Sequence, residues 1–398
     1  MDSREMTGLY VHLPFCPRRC GYCDFAVVVG REPEAEAYAE ALSAEVGWLA
    51  RTTGRPRLES LYFGGGTPTR TPAAVLRVLA AVRAAFAVAD DAEVTVEANP
   101  ESATEETLDR LRAAGVNRLS LGVQSFDDGC LRRLGRSHDA AAAGAAVQRA
   151  RERFPEVSVD LMFGVPGTSA KSWRRDLERA VALGPDHVST YCLTVEEHTP
   201  LARAIRRGEA PPSEDALEAA HMALAAAFLP ACGYARYEIS NYARPGRASR
   251  HNLRYWRNQS CLGAGVAAAA FWAGTRWTNT ADFDAYLARA AGRPAALFPP
   301  GPAADFHEHL PPRAALGESI LVGLRLLEGV DLGALSARHG VSAEETFGAA
   351  IRAEIEQGLL ERRGDRIALT ARGLRFANRV LMAFALPGEG VRQSPRAS

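Results

Sequence analysis

The first half of the chain alternates between two hydrophobic rhythms. Short runs rich in β-branched and aromatic residues read as strands: Gly8–Leu13, Leu58–Phe63, Glu93–Ala98, Arg118–Gly122, Val157–Phe163 and His187–Leu193. Between them, Ala/Leu/Arg stretches with apolar residues at helical spacing predict helices near 33–52, 72–86, 104–114, 139–153 and 169–183. Strands and helices in alternation build a parallel sheet, so the fold class expected is α/β. A full or partial (β/α)6 barrel is the architecture read from these six units, and periodicity alone leaves a doubly wound sheet open.

In either arrangement functional loops gather at the carboxyl ends of the strands. Three cysteines follow the first strand, Gly64–Pro68 the second and Asn99–Pro100 the third. Gln124 and Ser125 follow the fourth, and Gly164, Pro166 and Gly167 the fifth. These loops are expected to converge on one site.

Downstream, Gly292–Pro302 reads as a Gly/Pro-rich linker. Helical patterns then fall near 313–327, 331–339 and 343–357. Strand-like pieces Leu359–Arg362 and Arg366–Leu369 flank the hairpin dipeptide Gly364–Asp365, and a last helix covers 371–384. Three helices and a hairpin resemble a winged helix. The expected organisation is a barrel with its extension over 1–290, a linker over 291–303, a winged-helix-like domain over 304–386, and a disordered tail over 387–398.

Composition removes several function classes. The 398 residues are 47% hydrophobic with a formal net charge of zero, which is not the basic footprint of a nucleic-acid binder. Residues 303–384 are of mixed charge, which counts against reading the winged-helix-like module as a DNA-binding regulator. No run approaches the roughly 18 apolar residues that span a bilayer, so any membrane association is expected to be peripheral. The first residues lack a signal-peptide core, which implies a cytoplasmic protein whose seven cysteines are reduced. Clustered thiols there are metal ligands more often than disulfides.

Cys16-x3-Cys20-x2-Cys23 is such a cluster, in a Pro- and Arg-containing loop. Iron–sulfur clusters normally take four cysteines, so three leave one iron of a 4Fe–4S cluster open for a cofactor. The rival is structural zinc with His12 or Cys130 as fourth ligand, but no second Cys pair supplies the usual other half of a zinc site. Cys130, Cys192, Cys232 and Cys261 are scattered and read as small buried residues. In Gly64-Gly65-Gly66-Thr67-Pro68, one strand away, glycines allow backbone to approach a ligand closely.

The CxxxCxxC spacing, with Tyr22 before the last cysteine, resembles the radical S-adenosylmethionine (SAM) superfamily. The ordered series LYVHLPFCPRRCGYCDF, YFGGGTPT, VEANPES, NRLSLGVQSFDD, VDLMFGVPGTSAKSW, PDHVSTYCLTVEEHTPL and HNLRYW resembles the HemN/HemW family over Leu9–Trp256. The C-terminal module resembles that family's extra domain. The resemblance implies a 4Fe–4S cluster on Cys16, Cys20 and Cys23. It also implies SAM contacts from Tyr10, Tyr22, Gly65, Gly66, Thr67, Glu97, Gln124, Arg136 and Asp160, with Tyr22 at the adenine and Glu97 at the ribose. Structural roles stand beside three of these: a surface ion pair for Arg136, a helix N-terminal acid for Glu97 and a strand-end cap for Asp160.

Two activities divide the family. The oxygen-independent coproporphyrinogen III dehydrogenases, which decarboxylate their substrate oxidatively, carry a fourth Cys two residues after the third and a long N-terminal extension. Here that position is Phe25, and only eight residues precede Leu9. Both departures resemble the heme chaperone branch, which binds heme and passes it to acceptor proteins. His251-Asn252-Leu253-Arg254-Tyr255-Trp256 matches the family's HNxxYW motif and implicates His251 in heme binding. Tyr255 and Trp256 would then offer flat apolar surface, and Arg250 or Arg254 partners for the propionates. The partners implied are heme, an acceptor protein and an electron donor for the cluster. One departure cuts across the resemblance: after Leu262-Gly263 a Gly/Pro turn and a His are replaced by Ala264-Gly265-Val266 and the run Ala267–Ala270, which removes whatever contact that His makes.

Overall fold

A computed structural model describes residues 6–212, 214–290 and 301–386; most of the linker and the tail from Pro387 lie outside the described residues. Six parallel strands form its centre: β1 (Met6–Leu13), β2 (Arg57–Gly65), β3 (Val88–Ala98), β4 (Arg118–Gln124), β5 (Glu156–Phe163) and β6 (His187–Cys192). They follow each other as β1-β2-β3-β4-β5-β6 without reversal. A doubly wound sheet reverses its order at a switch point, so the unbroken order decides for the barrel. Its edges do not meet. Beyond β6 lie the short antiparallel strands β7 (Ala235–Arg236) and β8 (Asn241–Ala243), with β8 next to β6. On the other edge β9 (Cys261–Ala264) pairs parallel with β1 and leads to β10 (Ala269–Trp272), β11 (Thr275–Asn279) and β12 (Ala304–His309). The barrel is therefore open.

The crossovers are helices α1 (Ala35–Thr52), α2 (Pro72–Ala85), α3 (Glu105–Ala113), α4 (Asp128–Leu134), α5 (Ala140–Arg153) and α6 (Ala170–Leu183). Right-handed crossovers between strands in sequential order put their helices on one face. Thr104, Asp127, Asp139 and Ser169 start α3 to α6 by accepting a hydrogen bond from an amide in the first turn, which satisfies donors the helix cannot. Four further helices follow: α7 (Pro200–Arg206), α8 (Asp215–Ala231), α9 (Arg250–Trp256) and α10 (Phe283–Ala290).

Side chains alternate across each strand. Leu9, Val11 and Leu13, Val94 and Val96, Leu119 and Leu121, and Val157, Val159 and Leu161 pack into the main apolar core. The residues between them face the barrel interior, and they are polar: Tyr10, Ser60, Tyr62, Thr95, Glu97, Arg118, Ser120, Ser158 and Asp160. A barrel interior is ordinarily filled by layers of Val, Ile and Leu. This one is built to face something polar.

After β12 the chain forms α11 (Pro312–Gly323), β13 (Val330–Asp331), α12 (Leu332–His339), α13 (Ala343–Glu356), β14 (Leu360–Arg363) and β15 (Arg366–Leu369). That is the helix–strand–helix–helix–hairpin order of a winged helix, with its own apolar cluster around Leu316, Ile320, Phe347, Ile351 and Ile367. Three sequence boundaries shift. The helix expected to reach 327 ends at Gly323, and the one expected over 371–384 is broken at Phe376 into α14 (Ala371–Arg375) and α15 (Ala377–Met382). Residues 304–309, counted with the C-terminal module from sequence, pair instead with β11 in the large sheet.

Candidate functional site

The carboxyl ends of the strands surround a cavity of about 460 Å³. Cys16, Cys20 and Cys23 line it together, all free thiols and all partly exposed. The glycine turn holds their loop in place. Gly66 N donates to Leu13 O (2.8 Å) and Thr67 N to Phe15 O (2.9 Å). A Cβ on Gly66 would lie 2.6 Å from the Pro14 carbonyl carbon, and one on Gly65, whose φ is +112°, would meet the His12 ring at 2.5 Å. Only glycine lets the two segments close to this distance.

A polar chain joins two of the cysteines. The Cys16 thiol and the Thr67 hydroxyl lie 3.6 Å apart, Asn99 Nδ2 donates to Thr67 Oγ1 (2.9 Å), and Arg136 Nη2 donates to Asn99 Oδ1. The same guanidinium donates to Gly122 O (2.7 Å), and its Nη1 lies 3.8 Å from Cys20 Sγ. Arg136 is thus no surface ion pair: it is a cation held over a thiol. Its Nε is buried without a hydrogen-bond partner among the described residues. Burial pushes the Cys16 thiol up to about 11, the Thr67 contact opposing, and Cys23 upward for the same first reason. A metal that binds them must displace these protons.

Glu97, at the end of β3, accepts from Tyr62 OH (2.7 Å) and Gly65 N (3.1 Å). Burial pushes its carboxyl up to about 7, although the Tyr62 hydrogen bond pulls the other way. Asp160 on β5 accepts from Ser120 Oγ (3.2 Å) and is also raised by burial. Both carboxylates line the cavity, as do Gly65, Gly66, Thr67, Tyr22 and Gln124, whose backbone is left-handed (φ 67°) after an irregularity in β4.

Three expectations fare differently. Tyr10 does not line the cavity; it stacks on Tyr62, 6.1 Å between centroids, and its hydroxyl meets His12 Nδ1 (3.1 Å). The loop Gly164–Gly167 also stays off the wall, because Gly164 turns at φ +73° and its amide donates to His221 Nδ1 (3.3 Å). The zinc reading loses both candidate fourth ligands. His12 Nε2 bonds Ala26 O (2.8 Å), and Cys130 is buried against Leu134, Val165 and Leu193.

His251 lies beneath the cavity floor. It is 1% exposed, with Nδ1 3.0 Å from Ser60 Oγ, Nε2 3.2 Å from Tyr255 OH, and its ring stacked on Tyr62 at 5.1 Å. Burial, then Arg254 and Arg118, push its pKa down to about 3, so the imidazole is neutral. Its neighbours are less available than the sequence suggests. Arg254 is bound to Glu59, to Met6 O (2.7 Å) and to Ser260 O (2.9 Å), and Arg250 to Asp91. The Trp256 ring is covered by Arg325 of the C-terminal module at 4.5 Å. Nor does the alanine run reach the cavity wall: Gly265 N donates to buried Glu45 (2.8 Å), which also accepts from Asn279 Nδ2 (2.7 Å) and Tyr286 OH (2.5 Å).

Sequence reasoning did not single out Tyr62, which joins Glu97 to His251, nor Tyr191 at the end of β6. Cys192 and Cys232, read from sequence as small buried residues, are partly exposed, and Cys192 lines the cavity beside Tyr191 because it ends the strand at the barrel mouth. Tyr62 was findable: it stands two places before Gly64, on the inward face of β2.

The radical SAM superfamily model matches residues 10–180, and the HemN C-terminal domain model matches residues 310–376. Over 381 residues the chain is 41% identical to the heme chaperone HemW of Mycobacterium tuberculosis (strain ATCC 25618 / H37Rv), covering 94% of this chain and 93% of that one. The chain belongs to the HemN/HemW family. Another member, heme chaperone HemW of Bacillus subtilis (strain 168), is 34% identical over 95% and 99% of the two chains. The structure of the HemN/HemW member coproporphyrinogen III oxidase (HemN) from Escherichia coli superimposes with a TM-score of 0.81 at 25% identity, over 96% of this chain and 90% of that one. Among the described residues no helix is long and apolar enough to cross a membrane.

The residues present fit the cofactors the family name implies. Three free thiols face one cavity, a half-buried cation with an unpartnered Nε stands over one of them, and two carboxylates wait on the wall.

Proposed function

We propose that this protein is a heme chaperone whose Cys16, Cys20 and Cys23 hold a 4Fe–4S cluster and whose cavity binds SAM. The observation that carries the reading is the corner of the cavity beyond Cys23. Phe25 stands there, on the cavity wall and 60% exposed, where the dehydrogenases of the family carry a fourth cysteine. When bound, the cluster and SAM supply one-electron chemistry. Gly65–Thr67 would take the methionyl end, Tyr22 the adenine and Glu97 the ribose hydroxyls, while Gln124, Arg136 and Asp160 close the wall. Arg136 offsets the negative charge of the thiolates, and its free Nε has a donor to give.

His251 is the proposed heme ligand. Its imidazole is held neutral, the form that ligates iron. Iron reaches Nε2 only if the Tyr255 hydroxyl swings away, and Tyr255 is 37% exposed. The overall likeness to coproporphyrinogen III oxidase supports a second reading, in which the chain decarboxylates a porphyrinogen. Anaerobic reconstitution separates them. Heme titration is expected to give a Soret shift that His251→Ala abolishes, with coproporphyrinogen III recovered unchanged. Efficient decarboxylation overturns the chaperone reading.

A further inference from the structure

Arg118 is a buried cation whose nearby carboxylates, Glu93 and Asp160, make no contact ion pair with it. It projects from β4 two residues below Ser120, on the same face of the strand, and Ser120 lines the cavity. Arg118 therefore points into the barrel interior beneath the cavity floor, and it is 2% exposed. Its electrostatic neighbours are Glu93, Tyr62, Tyr237 and Asp160. Among the described residues it makes no ion pair, and Glu93 is the first of its charged neighbours.

The two carboxylates near it are committed elsewhere. Glu93 accepts from Arg250 N (2.8 Å), His251 N (3.1 Å) and Ser249 Oγ (3.3 Å), and so caps α9. Asp160 takes the hydroxyls of Ser120 and Ser189. A guanidinium carries five N–H donors in a planar fork, and burying it unpaired is among the costliest arrangements in a protein. The fork matches a carboxylate in bidentate fashion. Its other electrostatic neighbours are the phenols Tyr62 and Tyr237. The arginines that a flat dicarboxylate would otherwise meet on α9, Arg250 and Arg254, are already paired.

We propose that Arg118 is the anchor for a carboxylate arm of the ligand that enters the barrel from the cavity, a propionate if that ligand is heme. The inference rests on the heme reading above and adds to it the group that recognises the acid. Three probes test it on the reconstituted protein: heme, heme dimethyl ester and metal-free protoporphyrin. Heme is expected to bind about tenfold or more tightly than its diester, the loss that goes with one charge-assisted bidentate pair. Arg118→Met is expected to abolish that preference by weakening heme and protoporphyrin while leaving the diester unchanged. Arg118→Lys, which keeps the charge without the fork, is expected to fall between. A preference that survives in Arg118→Met, or a loss equal for heme and diester, overturns the proposal while leaving the heme reading intact. Wild type that binds none of the three overturns the heme reading, and this inference with it.

Discussion

Glutamine at position 97 removes one ionisable group from the cavity wall and keeps its shape. Burial lifts the Glu97 carboxyl from 4.5 to about 7, with the Tyr62 hydrogen bond opposing and Asp160 adding. The folded chain therefore holds this proton more tightly than the unfolded chain does. Stability rises with pH only where the unfolded state binds more protons. Here the folded state binds more between pH 4.5 and 7, so the wild type loses stability as pH rises through that window. At about 1.36 kcal/mol for each pH unit of that window the loss is about 3 kcal/mol, complete above pH 7.

Glu97→Gln cannot suffer that loss. Urea unfolding of the ligand-free protein, followed by circular dichroism from pH 4.5 to 8, isolates it as the difference between variant and wild type. Gly65 N loses an acceptor in the variant, but that cost does not vary with pH. The expected outcome is a difference that moves in favour of Glu97→Gln by about 3 kcal/mol, most of it between pH 5 and 8. A difference that stays flat across this range would refute the claim that Glu97 is protonated by burial. A difference that moves against the variant would mean that Arg118 or Arg136 holds it as a carboxylate.

Cys20→Ala is expected to lose about four irons per chain after anaerobic reconstitution, as the cluster class requires, and iron analysis that finds zinc instead would refute the assignment. Gly66→Ala forces a Cβ to within 2.6 Å of the Pro14 backbone; thermal melting should show a loss of about 1–3 kcal/mol, with the iron content falling because the cysteine loop is displaced. Glu45→Ala leaves Gly265 N and Tyr286 OH without their acceptor in the core, and takes one of the two acceptors of Asn279 Nδ2, which keeps Gly265 O. At about 1–3 kcal/mol per orphaned donor, its melting temperature should fall more than that of any single surface variant, and an unchanged melt would mean that water replaces the carboxylate.

The barrel was legible because its strands and helices differ in period, and several helices carry a start or stop signal. Pro72, Asp139 and Ser169 mark starts, and Gly184 marks an end, at the residues where the structure has them or one place away. The cavity's thiols and glycines were legible through spacing within single loops, and Glu97 through the family resemblance of its VEANPES segment. What could not be read was where side chains from distant strands point. Arg136, on paper a surface ion pair or a cofactor contact, lies inward because Gly122 O and Asn99 take its Nη2. Arg250, Arg254 and Trp256 were plausible porphyrin contacts by type, yet each is spent on a partner 69 to 195 residues away, where local pattern carries no signal.

That last point bears on how the two halves of the site communicate. The thiols and Glu97 lie above Tyr62; His251 and Tyr255 lie below it. Tyr62 touches both, donating its hydroxyl to Glu97 and stacking its ring on His251. A ligand hydroxyl that claims Glu97 competes with the phenol for the same carboxylate, and a phenol that lets go is free to shift its stack on an imidazole whose nitrogens meet Ser60, Tyr255 and the Cys261 thiol. Tyr62→Phe keeps the stack and removes the competition. If filling the cavity alters heme affinity through this contact, the variant binds heme equally well with and without SAM, whereas wild type does not; equal coupling in both would place the link elsewhere.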